Sequence, residues 1–415
     1  MQPTELDLLD LALCEVCGAI GSAYTVDAES RINLCVNCNA HDENVRILES
    51  NRDYFAMQDV AAARLSSVET RVVTLSGIDF HINRIPKAVV LELTDDCDLT
   101  CRTCIAGSFS GAGNYKSLAD LERLMRFARA ESDGSTSLMI SGGEPTMHPD
   151  LEHVIGSAYS LGFQSVILIS NGKRLAEESG FARRLKRSFP DLEIFLQFDS
   201  TNPDVLTEIR GTDLSLLRAS ALHALAEAEL FTTLVCVVTS GLSTREIGAV
   251  IEEFSVVPTV RGINLQPLRV SGRHGNENLG ADCAPSTGEL VLELESQVQF
   301  VKSGDIVPHP VAPWTVSCGY WDRSDNFASI NDLVMRQTMP IPSIPLFANP
   351  TLEGHHLFRV AIVTYLDRFC LRTSVTALDP IFIVTKNLHL LPLDLYYMFG
   401  EPQGVRLTAP IRKVR

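Results

Sequence analysis

From Pro86 to Pro267 the chain alternates short apolar runs with longer stretches whose apolar residues recur every three or four positions. The short runs are AVVLELT (88–94), SLMIS (137–141), SVILIS (165–170), EIFLQF (193–198), FTTLVCVVT (231–239) and GINLQP (262–267). Between them lie KSLADLERLMRFARA (116–130), LEHVIGSAYSL (151–161), GFARRLKRSF (180–189), LSLLRASALHALAEA (214–228) and TREIGAVIEEF (244–254), each with helical periodicity. Strand and helix repeated in this way predict an α/β fold, a parallel sheet with helices packed outside it. Six units of about 30 residues suit a partial (β/α)6 barrel of TIM type, with functional groups at the C-terminal ends of the strands.

The flanks read differently. Residues 1–50 predict a small metal-binding module, 51–85 a linker, 86–282 the barrel and 283–415 a C-terminal region. That last region is rich in proline (IVPHPVAPW, MPIPSIPLFANP), regains a helical pattern near 354–369 and then gives a strand-like run, IFIVT (381–385).

Composition narrows the function. Lys and Arg number 35 against 51 Asp and Glu, a formal charge of −16, which argues against a general attraction to nucleic acid or anionic lipid. The start, MQPTELDLLDLALCEVCG, is acidic and lacks the pattern of a secretory signal, and no apolar run of about 18 residues predicts a transmembrane segment. A cytoplasmic protein is expected. Clustered thiols in that compartment point to metal or catalysis before disulfides.

Seven of the 11 cysteines fall in two groups, at 14–38 and 97–104. In DDCDLTCRTCIAG (95–107), Cys97, Cys101 and Cys104 have the spacing C-x3-C-x2-C directly after the first strand of the barrel. Disulfides use thiols in pairs and a closed zinc site uses four ligands, so three point to a metal centre with one open position. A 4Fe-4S cube fits.

This loop, followed after the second strand by SGGEPTMHPD (141–150), resembles the radical S-adenosylmethionine (SAM) superfamily. The resemblance implies that SAM chelates the open iron and that one electron cleaves it to a 5′-deoxyadenosyl radical, which abstracts hydrogen from an unactivated C–H bond. It places Gly142, Gly143, Glu144 and Pro145 at the SAM amino acid, with the glycines allowing close backbone approach and Glu144 accepting from the amino group. Ser170, Asn171, Gln197, Asp199 and Gln266, at later strand ends, resemble positions that hold SAM or face substrate; as turn-forming polar residues they could equally cap the next helix.

Many superfamily members carry an aromatic residue where Thr103 stands here. CDLTCRTCIAG instead looks like the loop of a narrower group, typified by the methanopterin C-methyltransferase and the tetraether lipid synthase. QFDSTNPDVLTEIRG (197–211) and VRGINLQPLRVSGR (260–273) are similar to its fourth- and sixth-strand segments.

In the N-terminal group, LCEVCGAI (13–20) and NLCVNCNAH (33–41) give two C-x2-C pairs. Cys14, Cys17, Cys35 and Cys38 make the expected zinc-ribbon or rubredoxin-like site, holding zinc or a mononuclear iron. The resemblance offers an alternative, in which Cys38 and His41 form the second half. A unit this small leans on its metal.

Cys236 reads as a core residue. Cys283, Cys318 and Cys370 are candidates for an auxiliary 4Fe-4S cluster, although DRFCLRTS (367–374) carries one cysteine where related enzymes have a paired motif. Cys370 is also a candidate catalytic thiol that relays a hydrogen atom. The leading expectation is a radical SAM enzyme that forms a bond at an unactivated carbon, by methyl or alkyl transfer or C–C coupling, on a small molecule or lipid. It would draw electrons from a reductase, flavodoxin or ferredoxin, with no nucleic-acid partner. A peptide-modifying maturase and a noncatalytic iron-sulfur or zinc scaffold are the alternatives.

Overall fold

The computed structural model describes residues 10–65, 71–82, 85–241, 243–270, 284–331 and 356–407. At the N-terminus, β1 (Asp10–Leu13), β2 (Ile20–Ala28), β3 (Arg31–Cys38) and β4 (His41–Glu49) form an antiparallel meander in sequence order. Its own apolar core is four residues, Ala12, Ala23, Leu34 and Val36, too few to stabilise it unaided. Polar anchors tie it to the body. Arg46 is buried and donates to the carbonyls of Phe369, Leu13 and Arg368, the last two at 3.3 Å.

The segment expected as a linker holds regular structure. It forms α1 (Arg52–Ala63), capped by Asn51 accepting from the Tyr54 N–H at 3.1 Å, and the hairpin β5 (Arg71–Leu75) and β6 (Ile78–Ile82).

The central sheet is built from β7 (Ala88–Glu92), β8 (Ser137–Ser141), β9 (Val166–Ser170), β10 (Glu193–Gln197), β11 (Thr232–Val238) and β12 (Val260–Pro267). These are the six expected strands, parallel and consecutive in space. The main intervening helices are α2 (Leu118–Ala130), α3 (Leu151–Ser160), α5 (Phe181–Ser188), α7 (Ser215–Glu227) and α8 (Ile247–Ser255), all anticipated by periodicity. Two short ones, α4 (Lys173–Glu177) and α6 (Pro203–Arg210), are additional, and α9 (Thr287–Gln297) follows.

The C-terminal region completes the same sheet. Its strands are β13 (Val307–Pro308), β14 (Val316–Asp322), β15 (Ala328–Ser329), β16 (Leu357–Val363), β17 (Ile381–Val384), β18 (Leu390–Pro392) and β19 (Gly404–Leu407). β16 lies parallel beside β12, with Ile263 opposite Val360, and β17 lies parallel beside β7, with Val90 opposite Ile383. The six-stranded run therefore gains one parallel strand at each end, and a single apolar core runs through the parallel-strand segment and the tail. β19 returns to β5 and makes the hairpin a three-stranded sheet.

The helical pattern expected near 354–369 is overturned where the chain is described. Leu357–Val363 is a strand, buried at every position, between β12 and β14. An apolar run covered on both faces has no periodicity to separate strand from helix. Among the described residues no helix is long and apolar enough to cross a membrane, and no disulfide forms.

Candidate active site and metal centre

A cleft opens at the C-terminal ends of β7 to β12, and the loop after β7 forms one wall. Asp96 pins that loop: its Oδ1 accepts from the N–H groups of Gly111 (2.8 Å) and Cys97 (3.1 Å), and its Oδ2 from the Tyr115 hydroxyl (3.0 Å). The turn after β8 is then docked on the same loop by backbone bonds, Gly143 N–H to Thr94 (2.7 Å) and Glu144 N–H to Asp96 (2.8 Å).

This contact gives the two glycines their first task. A Cβ at Gly142, whose φ is +122°, would stand 2.4 Å from the Thr94 carbonyl oxygen, and one at Gly143 only 1.9 Å from that of Asp96. The glycines therefore let the turn touch the cysteine loop, besides any approach to a ligand.

Glu144 is 1% exposed. Its Oε1 accepts from the Thr146 N–H (3.1 Å), the Thr146 hydroxyl (2.6 Å) and the Ser170 hydroxyl (2.9 Å), and its Oε2 from the Asn171 N–H (2.7 Å). A carboxylate offers about four acceptor sites, so Oε1 is filled and Oε2 keeps one for a donor in the cleft. Burial pushes this carboxyl above its ordinary range, opposed by the bonds from Asn171, Thr146 and Ser170.

Cys97, Cys101 and Cys104 all line the cleft, with Gly142, Gly143, Glu144, Ser170, Asn171, Gln197 and Gln266. Burial pushes the Cys97 thiol up to about 12. It also raises Cys101, against the positive charge of Arg210, which hydrogen-bonds the Cys101 thiol. Among the described residues the three sulfurs do not form a tight ligand group of the kind seen at the N-terminus, yet all three line the same cleft. Three soft donors around one concavity fit an iron-sulfur cube.

Pro145 and Asp199 do not line the cleft, contrary to expectation. Pro145 is buried as the first residue of a helical turn over Pro145–Met147, where its fixed φ serves the turn. Asp199 is 3% exposed and is spent on Arg210, whose Nε and Nη2 meet its two oxygens at 2.7 Å each; Arg210 Nη2 also donates to Gln197 at 2.9 Å. Burial works against the Asp199 carboxylate, but Arg210 and Arg218 hold it below the usual range. The group facing the cleft is thus Arg210, together with Arg218, Arg269, Tyr365 and Tyr397. Arg218 donates to the Asn171 carbonyl, and the Tyr397 hydroxyl to Glu92 at 2.8 Å. Arg210 and Arg269 lay within quoted segments, but nothing local announces that a side chain turns inward.

Cys370 also lies outside the cleft lining, in a smaller cavity against the N-terminal module. Burial pushes its thiol up to about 12. Cys318 is buried in β14, Cys236 in β11, and Cys283 falls outside the described residues. Neither Cys318 nor Cys370 joins another cysteine in a tight ligand group among the described residues.

In the N-terminal meander, the ligand atoms of Cys14, Cys17, Cys38 and His41 lie within 4.8 Å of one another. Cys17 Sγ is 3.7 Å from Cys38 Sγ, and His41 Nδ1 is 3.7 Å from Cys14 Sγ and 3.6 Å from Cys38 Sγ. A tetrahedron with metal–ligand bonds of roughly 2.0–2.3 Å has edges of about 3.3–3.8 Å, so these spacings fit one ion. The expected set is corrected in one member: His41 takes the place of Cys35. Cys35 lies inside β3, paired with Tyr24 and Val45, and a strand carries positions three apart about 10 Å from each other. Cys38 and His41 instead face each other across the turn into β4. Backbone bonding from Ala40, and then the His41 side chain, lower the Cys38 thiol to about 6, whereas burial raises Cys35.

Residues 91–254 match the profile of the Radical SAM superfamily, so this segment of the chain carries a Radical SAM domain. The chain is similar to the 7,8-dihydro-6-hydroxymethylpterin dimethyltransferase of Methanocaldococcus jannaschii, 27% identical over 319 residues, covering 74% of this chain and 62% of that protein. It is also similar to the mycofactocin maturase MftC of Mycobacterium tuberculosis, 29% identical over 238 residues, covering 54% and 56% of the two chains. Among solved structures, Streptococcus suis SuiB bound to its precursor peptide SuiA aligns with a TM-score of 0.44 at 15% identity, over 79% of this chain and 63% of that one. The chain spans less than two thirds of the length of each of these relatives.

Proposed function

We propose that the protein is a radical SAM enzyme that forms a bond at an unactivated carbon of a small molecule or lipid, by methyl or alkyl transfer or by C–C coupling. The observation that carries this reading is the meeting of Cys97, Cys101 and Cys104 with Gly142, Glu144, Ser170 and Asn171 in one cleft, where the sheet is read as curling into a partial barrel. Cys97, Cys101 and Cys104 would hold a 4Fe-4S cluster, which with SAM would supply radical chemistry for hydrogen abstraction. The protein's share is placement. Glu144 offers its remaining acceptor site to the SAM amino group, Arg210 is fixed by Asp199 and Gln197 beside Cys101, and Tyr397, held by Glu92, faces the same space. The similarity to the dimethyltransferase supports group transfer to carbon.

The Cys3His group of the meander suits zinc, whose tetrahedral preference matches the spacings above. A flavodoxin, ferredoxin or reductase would deliver the electron, and the free thiols suit a reducing cytoplasm.

The test is anaerobic reconstitution with iron and sulfide, then dithionite and SAM, reading 5′-deoxyadenosine by chromatography. Protein that takes up the cluster yet makes none overturns the proposal. The second reading, a peptide maturase, is favoured by the similarity to MftC. A mass change on a small precursor peptide, and none on a pterin or lipid, would select it.

A further inference from the structure

A second, smaller cavity lies beside the cleft, walled by Phe55 of α1, Trp314, Cys370 and Arg372, with Arg269 lining both spaces. Its volume of about 50 Å³ admits a carboxylate- or phosphate-sized group and no whole substrate.

Arg372 is 9% exposed, and its Nε has no hydrogen-bond partner among the described residues. What holds the guanidinium is aromatic stacking, 4.6 Å from the Trp314 ring centre and 5.7 Å from that of Phe55. Burial disfavours its charge, and the carboxylates of Asp10 and Asp59 offset that only in part, so an anion bound beside it is favoured.

Asp10 and Asp59 act on it through their charge, while the oxygens of the acidic groups near the cavity take hydrogen bonds from other partners. Asp10 accepts from the Thr373 hydroxyl (2.8 Å) and the Ser374 hydroxyl (2.6 Å). Glu49, the carboxylate in the cavity wall, accepts from the Ser286 hydroxyl (2.6 Å) and the Gly288 N–H (3.1 Å) at the start of α9. The Cys370 thiol is neutral in its buried place.

We propose that this cavity is an anion subsite in which Arg372, backed by Trp314 and Phe55, binds a carboxylate or phosphate group. Because Arg269 joins it to the cleft, the group bound is the anionic end of the substrate. That last step rests on the enzyme reading above; anion binding does not.

The experiment titrates the full-length chain, without reductant or SAM, with sodium phosphate and separately with sodium acetate, following tryptophan fluorescence. The protein has two tryptophans, Trp314 and Trp321. A saturable change is expected with one of the anions, and the one that saturates at lower concentration identifies the group. Arg372→Met raises the half-saturating concentration at least about tenfold, and Arg372→Lys raises it less. No saturable change with either anion, or equal binding by Arg372→Met, overturns the proposal. If Arg372→Met does not fold, Trp314→Phe decides: loss of the response places the anion at this ring, and its persistence overturns the assignment. Saturable binding in a protein that makes no 5′-deoxyadenosine keeps the subsite and removes only the substrate.

Discussion

A methyl group on Gly143 would stand 1.9 Å from the Asp96 carbonyl oxygen, so Gly143→Ala must push the turn after β8 away from the loop that carries Cys97. Overpacking of this kind costs about 1–3 kcal/mol. The expected outcome is a lower Tm and reduced iron uptake on reconstitution, measured by calorimetry and iron assay. Gly134→Ala, at a position with nothing within 4 Å, should change neither. A second residue-scale prediction concerns the ion pair. Asp199→Asn leaves the buried Arg210 and Arg218 guanidiniums without their carboxylate, a loss of about 3–5 kcal/mol, and adding Arg210→Met relieves the Arg210 share while Arg218 stays unpaired by charge. Chemical denaturation of Asp199→Asn, Arg210→Met and the double variant reads this coupling. Both sites show where legibility stops. The GGE turn and the cysteine spacing were plain in the chain, because each is a local pattern. The backbone that Gly143 touches and the arginine that consumes Asp199 belong to other segments, and spacing carries no trace of them.

At the scale of elements, the long periodic helices and the buried parallel strands were readable, since their burial pattern is their sequence pattern. α6 was readable and missed: Asn202 caps it, Pro203 begins it and Gly211 ends it with φ +82°. The metal module was legible, and the Cys38–His41 alternative offered by the resemblance is the one that gathers; the favoured four-cysteine set does not, for a different reason. C-x2-C at 35–38 looks like a knuckle, but residues 31–38 are extended, and an extended chain cannot fold Cys35 and Cys38 around one ion. The hairpin turn does so for Cys38 and His41. His41→Ala is therefore expected to lose the bound metal and to reduce the hydrogen-exchange protection of the module's amides, because four core residues do not hold the meander together. Cys35→Ala is expected to keep the metal. Elemental analysis of the two purified variants checks this, and metal loss in Cys35→Ala with retention in His41→Ala would reverse the ligand set.

For the whole molecule, the tail is the informative part. β16 and β17 attach to opposite ends of the parallel run, an extension that no local pattern announces because it depends on which distant edge is exposed. It brings acidic side chains into the core. Burial, and next the charge of Asp379, raise the Asp394 carboxyl well above its ordinary range, and burial likewise raises Glu193 against the pull of Arg359. An unfolded chain releases these protons near pH 4, whereas the native chain keeps them to a higher pH. Between those limits the native state binds more protons, so stability falls as pH rises. Asp199, held low, acts with the opposite sign, but only below its unfolded value near pH 4. Below about pH 6, where the lowered Cys38 thiol no longer titrates with the opposite sign, acidification toward pH 5 should accordingly raise the Tm, with up to about 1.4 kcal/mol per pH unit for each proton fully retained. Asp394→Asn imitates the protonated acid and should flatten the slope, with its largest gain over the parent at the alkaline end. A Tm that falls steadily on acidification, equally in both proteins, would mean that Asp394 is ionised in the folded chain.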